Sequence, residues 1–152
     1  MKHKAFTMLE IVVVMGVLVA IALVSIPLTV SSIIQTNADA YMRDMTSRFF
    51  LQQQLSFSGN GGNDHGIAFD ADGITVFTGP SLASATDTAE FGLPSGVAFD
   101  ETAFGGGATE VVFASGSFRP DVFGYASYTD GTYQHRLQVN SEGLIEYLKT
   151  AL

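Results

Sequence analysis

Residues 3–24 read HKAFTMLEIVVVMGVLVAIALV, an apolar run with a single acid, Glu10, near its start. No further charged residue follows until Asp39. Residues 11–34 would form a straight helix about 36 Å long, which exceeds the hydrocarbon core of a bilayer at about 30 Å. The run therefore predicts a transmembrane helix over about residues 11–34, at the head of a longer helix.

The charge on either side of the apolar run predicts its orientation. Lys2, His3 and Lys4 precede the run, whereas the whole chain has 15 acidic and 7 basic residues and a formal net charge of −8. Because basic flanks stay in the cytoplasm, we expect a single-pass protein of the cytoplasmic membrane with its C-terminal domain outside. An acidic chain also repels phosphates, so no nucleic-acid partner is expected.

Glu10 has two interpretations. Thr7 and Glu10 have the spacing of a capping box, in which each side chain binds the other residue's backbone amide at a helix start. Alternatively, Glu10 meets a cation inside the membrane, because an unpaired intramembrane carboxylate costs a few kcal/mol and such residues are usually functional. The residues themselves leave both interpretations open.

The helical pattern continues past the apolar run and predicts one helix from about Phe6 to Ser56. Pro27 lacks an amide donor and clashes with the preceding turn, which predicts a kink. The second half of the helix is amphipathic, with an apolar face at helical spacing: Ala38, Tyr41, Met42, Met45 and Phe49. Two acid-first pairs with the spacing of helix salt bridges are present: Asp39 with Arg43, and Asp44 with Arg48.

Beyond the helix the pattern changes to short strands. The segment GNGGND, residues 59–64, ends the helical pattern. GIAFDADGITVFTG, residues 66–79, predicts a β-hairpin that turns at Asp72-Gly73. Two further turns are expected, at Asp130-Gly131 and at Asn140–Gly143.

The predicted fold class is α+β, a long helix packed on an antiparallel sheet of four to seven strands. Two stretches rich in Gly, Ala and Ser, Pro80–Pro94 and Thr102–Ala108, are expected to be mobile loops. The helix takes up residues 6–58, and residues 59–152 form the β-rich domain.

Few residues suggest chemistry. The chain has no cysteine and three histidines, His3, His65 and His135, of which His65 and His135 are expected at exposed polar positions. Asp70 and Asp72 have a calcium-like spacing, but the later ligands of an EF-hand loop are missing, so they are weak metal candidates in a hairpin turn. The chain has no serine-hydrolase, zinc-protease or phosphate-loop motif. We expect no cofactor and no enzymatic activity.

The N-terminal arrangement resembles the type IV pilin and type II secretion pseudopilin superfamily. The residues that carry the likeness are the basic leader MKHKA (1–5), the motif FTMLE (6–10), the uncharged run and Pro27. In that family a prepilin peptidase cuts before the phenylalanine and methylates the new amino group. The resemblance implies cleavage between Ala5 and Phe6 and N-methylation of Phe6, although the family usually has Gly where this chain has Ala5.

The same resemblance implies how the mature chain assembles. Glu10 would pair with the Phe6 amine of a neighbouring subunit as subunits pack into a helical filament. The segment before Pro27 would lose helical structure in the fibre, although Val19 stands where many pilins have a helix-loosening Gly. The long helix and β domain would adopt a pilin-like fold.

The resemblance implies a structural subunit, more a minor than a major one, of a type IV pilus or type II secretion pseudopilus. The β-rich end is similar to minor pseudopilins of the GspH and FimT type. Implied partners are the prepilin peptidase, other pilin or pseudopilin subunits, the membrane and the inner-membrane assembly platform. Two alternatives stay open: a major pilin of a type IV pilus, and a single-pass, membrane-anchored β domain that binds a ligand or acts as an enzyme with an unprocessed N-terminus.

Overall fold

The structure, a computed structural model, describes residues 7–152, except for the side chains of residues 23–31 and of Asn60. It divides into two compact units, one ending at Ile33 and one extending from Ile34 to Leu152. Helix α1, Met8–Phe57, contributes to both units, and its bounds agree with the helix predicted from the sequence.

The first unit is the N-terminal part of α1. The described side chains from Thr7 to Ala22, and those of Ser32 and Ile33, are all exposed. Among the described residues, no helix combines the length and the apolar character that a membrane span requires.

The second unit adds β-strands to the rest of α1. Within the described residues there are eight strands: β1 His65–Asp70, β2 Gly73–Thr78, β3 Asp87–Gly92, β4 Ala98–Phe104, β5 Glu110–Phe113, β6 Gly124–Thr129, β7 Tyr133–Val139 and β8 Ile145–Ala151. They form two four-stranded antiparallel sheets, ordered β3-β2-β1-β5 and β4-β6-β7-β8, so the predicted single sheet of four to seven strands was wrong. Three short 3-10 turns lie at Asn60–Gly62, Leu82–Ser84 and Gly105–Gly107.

Two stretches predicted as mobile loops contain strands, so that prediction was wrong. β3 lies inside Pro80–Pro94, and β4 extends into Thr102–Ala108. Both are edge strands with mostly exposed side chains. Apolar alternation, the usual sequence signal for a strand, is weak on an exposed edge strand, where polar and charged side chains protect against aggregation.

The hairpin predicted over residues 66–79 is confirmed with a shift of one residue at the turn. Asp70 on β1 pairs with Gly73 on β2, so the turn residues are Ala71 and Asp72. Gly73 has a φ of 148°, and a Cβ there would collide with the Phe91 carbonyl oxygen of β3. Gly73 is therefore required by the close approach of the neighbouring strand. The two other predicted turns, Asp130-Gly131 and Asn140–Gly143, lie between β6 and β7 and between β7 and β8.

The core of the second unit lies between α1 and both sheets. The predicted apolar face of α1 is confirmed, since Ala38, Met42, Met45 and Phe49 are buried and Tyr41 is partly buried against them. The Phe49 ring packs on Phe69 of β1 and Phe113 of β5, with centroid distances of 6.1 and 5.7 Å. On the second sheet, the ring of Tyr41 meets that of Tyr128 on β6 at 6.3 Å. The α+β prediction is confirmed.

One of the two predicted salt bridges on α1 is confirmed. Arg48 Nε lies 2.7 Å from Asp44 Oδ2. The pairing of Asp39 with Arg43 was wrong, because both carboxylate oxygens of Asp39 accept hydrogen bonds from Lys149 Nζ on β8, at 2.8 and 2.9 Å. A partner 110 residues away in the chain has no signature in local spacing.

The C-terminal turn of α1 is held by buried polar side chains that bind loop carbonyls. Gln53 Nε2 donates to the carbonyl oxygens of Phe118 at 2.8 Å and Gly143 at 2.7 Å. Ser56 Oγ donates to the Phe113 carbonyl oxygen at 2.8 Å. These bonds satisfy backbone groups at the ends of strands and fix two loops to the helix.

Tyr128→Phe is expected to leave the free energy of unfolding unchanged or to raise it by up to about 1 kcal/mol. Tyr128 is fully buried, and its hydroxyl has no hydrogen-bond partner among the described residues. Burial of that hydroxyl raises its pKa, in keeping with an apolar environment. Chemical denaturation of the full chain in detergent micelles measures the difference.

Tyr147→Phe is the matched control. The Tyr147 hydroxyl contacts His135 Nδ1 at 2.7 Å and donates to Asp39 Oδ1 at 3.2 Å. Its removal is expected to lower the free energy of unfolding by about 1–3 kcal/mol. A comparable loss in Tyr128→Phe would show that the Tyr128 hydroxyl is satisfied after all, for example by an enclosed water.

Candidate functional site

The start of α1 forms the predicted capping box. Glu10 Oε2 accepts hydrogen bonds from the Thr7 backbone N at 3.0 Å and from Thr7 Oγ1 at 3.1 Å. In return, the Glu10 backbone N donates to Thr7 Oγ1 at 3.3 Å. The acid in the first turn also interacts favourably with the helix dipole. The local interpretation of Glu10 is therefore confirmed.

The capping box leaves half of the Glu10 carboxylate available. Both bonds from Thr7 end on Oε2, and Oε1 has no hydrogen-bond partner among the described residues. The side chain is exposed beside a shallow groove of about 290 Å³ that Ile11, Val14 and Met15 also line. A carboxylate oxygen in this position can accept a charge-assisted hydrogen bond from a cation of another molecule. The cap and an intermolecular ion pair are thus compatible.

The helix around Glu10 presents apolar side chains on every side. Eleven of them are more than half exposed: Met8, Leu9, Ile11, Val12, Val13, Val14, Met15, Val17, Leu18, Val19 and Ile21. A helix that is apolar all round is normally buried by a partner or by lipid. An exposed apolar surface of this extent marks an interaction site.

Some predicted site residues are not described. Ala5 and Phe6 lie outside the described residues, as does the side chain of Pro27. Cleavage between Ala5 and Phe6, methylation of Phe6, its pairing with Glu10 and the kink at Pro27 therefore stay predictions. His3 also lies outside the described part of the chain.

Asp70 and Asp72, the weak metal candidates, are exposed at the β1–β2 turn. With Glu90 of β3 they line a groove of about 310 Å³. Among the described residues, no three His, Asp or Glu side chains converge as a metal ion would require. The geometry adds no further ligand to the pair.

A buried polar cluster lies between α1 and the second sheet. His135 Nε2 lies 3.1 Å from Asp130 Oδ2, and His135 Nδ1 lies 2.7 Å from the Tyr147 hydroxyl oxygen. Tyr147 donates to Asp39 Oδ1 at 3.2 Å, and Lys149 Nζ binds both oxygens of Asp39. Asp130 Oδ1 also accepts from the backbone amides of the turn that precedes β7, those of Thr132 and Tyr133. The cluster joins a sheet turn, two strands and the helix.

The expectation that His65 and His135 are exposed was wrong. His135 is fully buried and His65 is 4% exposed. His135 alternates with Leu137 and Val139 on the inward face of β7, a period-2 signal that was available in the sequence. His65 begins β1, where its Nδ1 lies 3.4 Å from Thr78 Oγ1 of β2. Only the pairing of the two strands places it inside.

Hydrogen bonds, burial and neighbouring charges together shift the pKa of three members of the cluster. Hydrogen bonds from Lys149 hold the pKa of Asp39 below its ordinary value of 3.8. Burial by itself would raise the pKa of Asp130, but the two backbone amides and then His135 hold it below 3.8. Burial, followed by the charge of Asp39, raises the pKa of Tyr147. Both carboxyl groups are therefore ionised and the phenol is neutral at pH 7.

The cluster is suited to holding the fold together. The side chains of His135 and Asp130 have no solvent exposure, so a substrate has no access to them. Removing one partner of such a buried pair typically costs about 3–5 kcal/mol, because the other charge is left unpaired.

Lys149→Met is expected to lower the free energy of unfolding by about 0.5–1 kcal/mol at pH 7. The effect is modest because the Lys149 and Asp39 side chains are 28% and 38% exposed, so water screens the pair. The pKa of Asp39 in the folded chain lies below its ordinary value of 3.8. The ion pair therefore stabilises the fold fully above pH 3.8, and this stabilisation is lost as the pH falls through the folded-state pKa. The difference from the native chain should therefore shrink as the pH is lowered from about 5 to about 3.

Arg119→Met is the matched control for this measurement. It breaks the ion pair between Arg119 and Glu142, whose side chains are 69% and 66% exposed, respectively. We expect no measurable change in the free energy of unfolding. An equal effect of both variants, or a Lys149→Met effect that persists at low pH, would contradict the assignment to the Asp39 pair.

The comparisons with known proteins yielded one structural likeness. No protein-family model and no curated protein matches the chain. Among solved structures it is similar to the minor pseudopilin EpsH from the type 2 secretion system of Vibrio cholerae, with a TM-score of 0.54 and 17% sequence identity. The likeness covers 74% of this chain and 96% of that chain. The chain therefore has a pseudopilin-like, or pilin-like, fold, as its N-terminal motif predicted.

Proposed function

We propose that this chain is a non-catalytic structural subunit of a type II secretion pseudopilus or a type IV pilus, and a minor one. One observation carries the proposal: a pseudopilin-like fold whose helix starts with the Thr7–Glu10 box and continues as an exposed apolar surface. A pseudopilin-like fold alone does not assign a function. The motif FTMLE and the apolar surface that follows it are the features that favour assembly with other subunits.

The proposed mechanism is assembly through the N-terminal part of α1. The precursor sits in the cytoplasmic membrane with its N-terminus inside, and a prepilin peptidase removes residues 1–5 and methylates Phe6. The new amine pairs with Glu10 of a neighbouring subunit, and Glu10 Oε1, which no other described residue binds, is the acceptor. The apolar surface of residues 8–22 then becomes filament core, delivered there by an inner-membrane assembly platform.

The charge of the second unit favours a minor subunit over a major pilin. Residues 34–152 contain 14 acidic and 5 basic residues, a formal charge of −9. Copies of this unit packed side by side would repel one another. Sparse placement among other subunits avoids that repulsion, whereas a homopolymer multiplies it. Counting copies of this chain per filament by quantitative mass spectrometry separates the two alternatives.

A membrane-anchored β domain that binds a ligand or acts as an enzyme is the alternative of another class. It predicts that residues 1–5 are retained and that Glu10 serves only as a helix cap. The enclosed position of the His135 cluster gives this alternative no accessible polar site there.

The mass of the N-terminal peptide from native membranes tests the proposal. A peptide that begins at N-methylated Phe6 is expected. Ala5→Leu, which places a bulky side chain at the cut, is expected to block processing, whereas Ala5→Gly is expected to permit it. A native peptide that still begins at Met1 would overturn filament assembly and leave the membrane-anchor alternative.

A further inference from the structure

His135 lies between two acidic residues that belong to different elements. Asp130 Oδ2, at the turn before β7, lies 3.1 Å from Nε2. On the other side Nδ1 is 2.7 Å from the Tyr147 hydroxyl oxygen and 3.9 Å from Asp39 Oδ1 of α1. Each ring nitrogen thus has an oxygen partner.

The number of protons available for these hydrogen bonds determines the protonation state that the His135 ring needs to form all of them. The ionised Asp130 carboxylate only accepts hydrogen bonds, so Nε2 carries a proton. The Tyr147 hydroxyl has one proton, which it donates to Asp39 at 3.2 Å. Its oxygen can then bind Nδ1 only as an acceptor, so Nδ1 carries a proton too. All three hydrogen bonds form together only when the imidazole is doubly protonated.

With both nitrogens protonated, the ring lies between two carboxylates. The side chains of His135 and Asp130 are fully buried, and a buried carboxylate without a cationic partner is costly. On the far side, Lys149 already balances Asp39. The titratable and charged groups that face this cluster are, from the turn, Asp130; from α1, Asp39 and Arg43; and from β8, Tyr147 and Lys149.

We propose that His135 is a buried imidazolium that keeps the Tyr147 hydroxyl of β8 bonded to Asp39 of α1, a contact we call the clasp. Loss of the His135 proton breaks the clasp. A neutral ring with its proton on Nε2 accepts a hydrogen bond from the Tyr147 hydroxyl at Nδ1, so the single hydroxyl proton no longer reaches Asp39. Lys149 is then the remaining hydrogen-bond donor from β8 to Asp39. The first turns of α1 in the second unit, residues 34–42, consequently loosen from the sheet. This inference does not rest on the proposed function.

Imidazole nitrogen NMR tests the protonation state without any variant. The full chain, labelled with ¹⁵N-histidine and held in detergent micelles, is titrated from about pH 5 to about pH 9. The ring nitrogen signals of His135 are assigned by correlation with its backbone amide signal. At pH 7 both ring nitrogens of His135 are expected to have the chemical shifts of protonated nitrogen. A spectrum with one unprotonated ring nitrogen at pH 7 overturns the proposal.

Hydrogen exchange tests the clasp. The amides of residues 34–42 are compared with those of residues 50–56, which serve as the internal reference for intrinsic pH effects. The ratio of exchange rates is expected to rise about tenfold as His135 loses its proton, as expected for the loss of one charge-assisted hydrogen bond. In Tyr147→Phe the step should vanish while residues 50–56 stay protected. An unchanged ratio in the native chain overturns the clasp.

Discussion

Replacing Glu10 with glutamine is expected to yield a chain that is still cut after Ala5 but is depleted from filaments by tenfold or more. Glutamine keeps the size and the hydrogen-bonding capacity of the side chain but removes its charge. A charge-assisted hydrogen bond contributes about 1.5–3 kcal/mol, which corresponds to about tenfold or more in incorporation per subunit. Immunoblots of sheared filaments and of whole cells, with the N-terminal peptide mass, measure incorporation and processing separately.

Thr7→Ala is the matched control, because it disrupts the capping box without touching the charge of Glu10. It removes the Oγ1 partner of both the Glu10 amide and Glu10 Oε2, at a cost of about 1 kcal/mol in helix stability. Incorporation of Thr7→Ala is expected to stay close to that of the native chain. If both variants are depleted equally, Glu10 acts as a cap and the pairing with Phe6 is wrong.

Phe49→Ala is expected to lower the free energy of unfolding by about 3–5 kcal/mol, enough to unfold a marginally stable domain. The ring is 1% exposed and packs against Phe69 of the first sheet and Phe113 of β5. Its removal leaves a cavity where α1 meets that sheet, and the surrounding strands are held by their ladders and cannot collapse into it. Denaturant unfolding of the full chain in detergent measures the loss.

Phe50→Ala deletes the same side chain one position later. Phe50 is 47% exposed and points about 100° away from Phe49 around the helix axis. The expected loss of unfolding free energy is below about 1 kcal/mol, because little apolar area returns to water. Equal losses in the two variants would contradict the burial of the predicted apolar face of α1.

Much of the fold could be predicted from local patterns. The helical period of Ala38, Met42, Met45 and Phe49 indicated both the helix and its buried face, because side chains three and four residues apart share one side of a helix. Three turns were predicted, two from the Asp-Gly pairs at residues 72–73 and 130–131 and one from the stretch Asn140–Gly143. These features depend on residues that are close in the sequence, so the sequence is sufficient to predict them.

The edge strand β3 and the long-range pairs could not be predicted in this way. β3 is defined by hydrogen bonds to β2, and its exposed side chains give no alternation to read. Asp39 had an apparent partner four residues along the helix, yet Lys149 of β8 binds it. Asp39 pairs with Lys149 because the packed fold brings the Lys149 amine within 3 Å of its carboxylate.

The long helix, its uncharged N-terminal half and the Thr7–Glu10 box follow from local sequence alone, because each depends on residues within a turn or two of one another. The division into two sheets, the strand β3 and the enclosure of His135 between Asp130 and Tyr147 depend on the packed fold. The physical reason is that these features arise from strand pairing and from the burial of polar groups against partners far away in the chain. Such contacts exist only once the helix and both sheets have packed together.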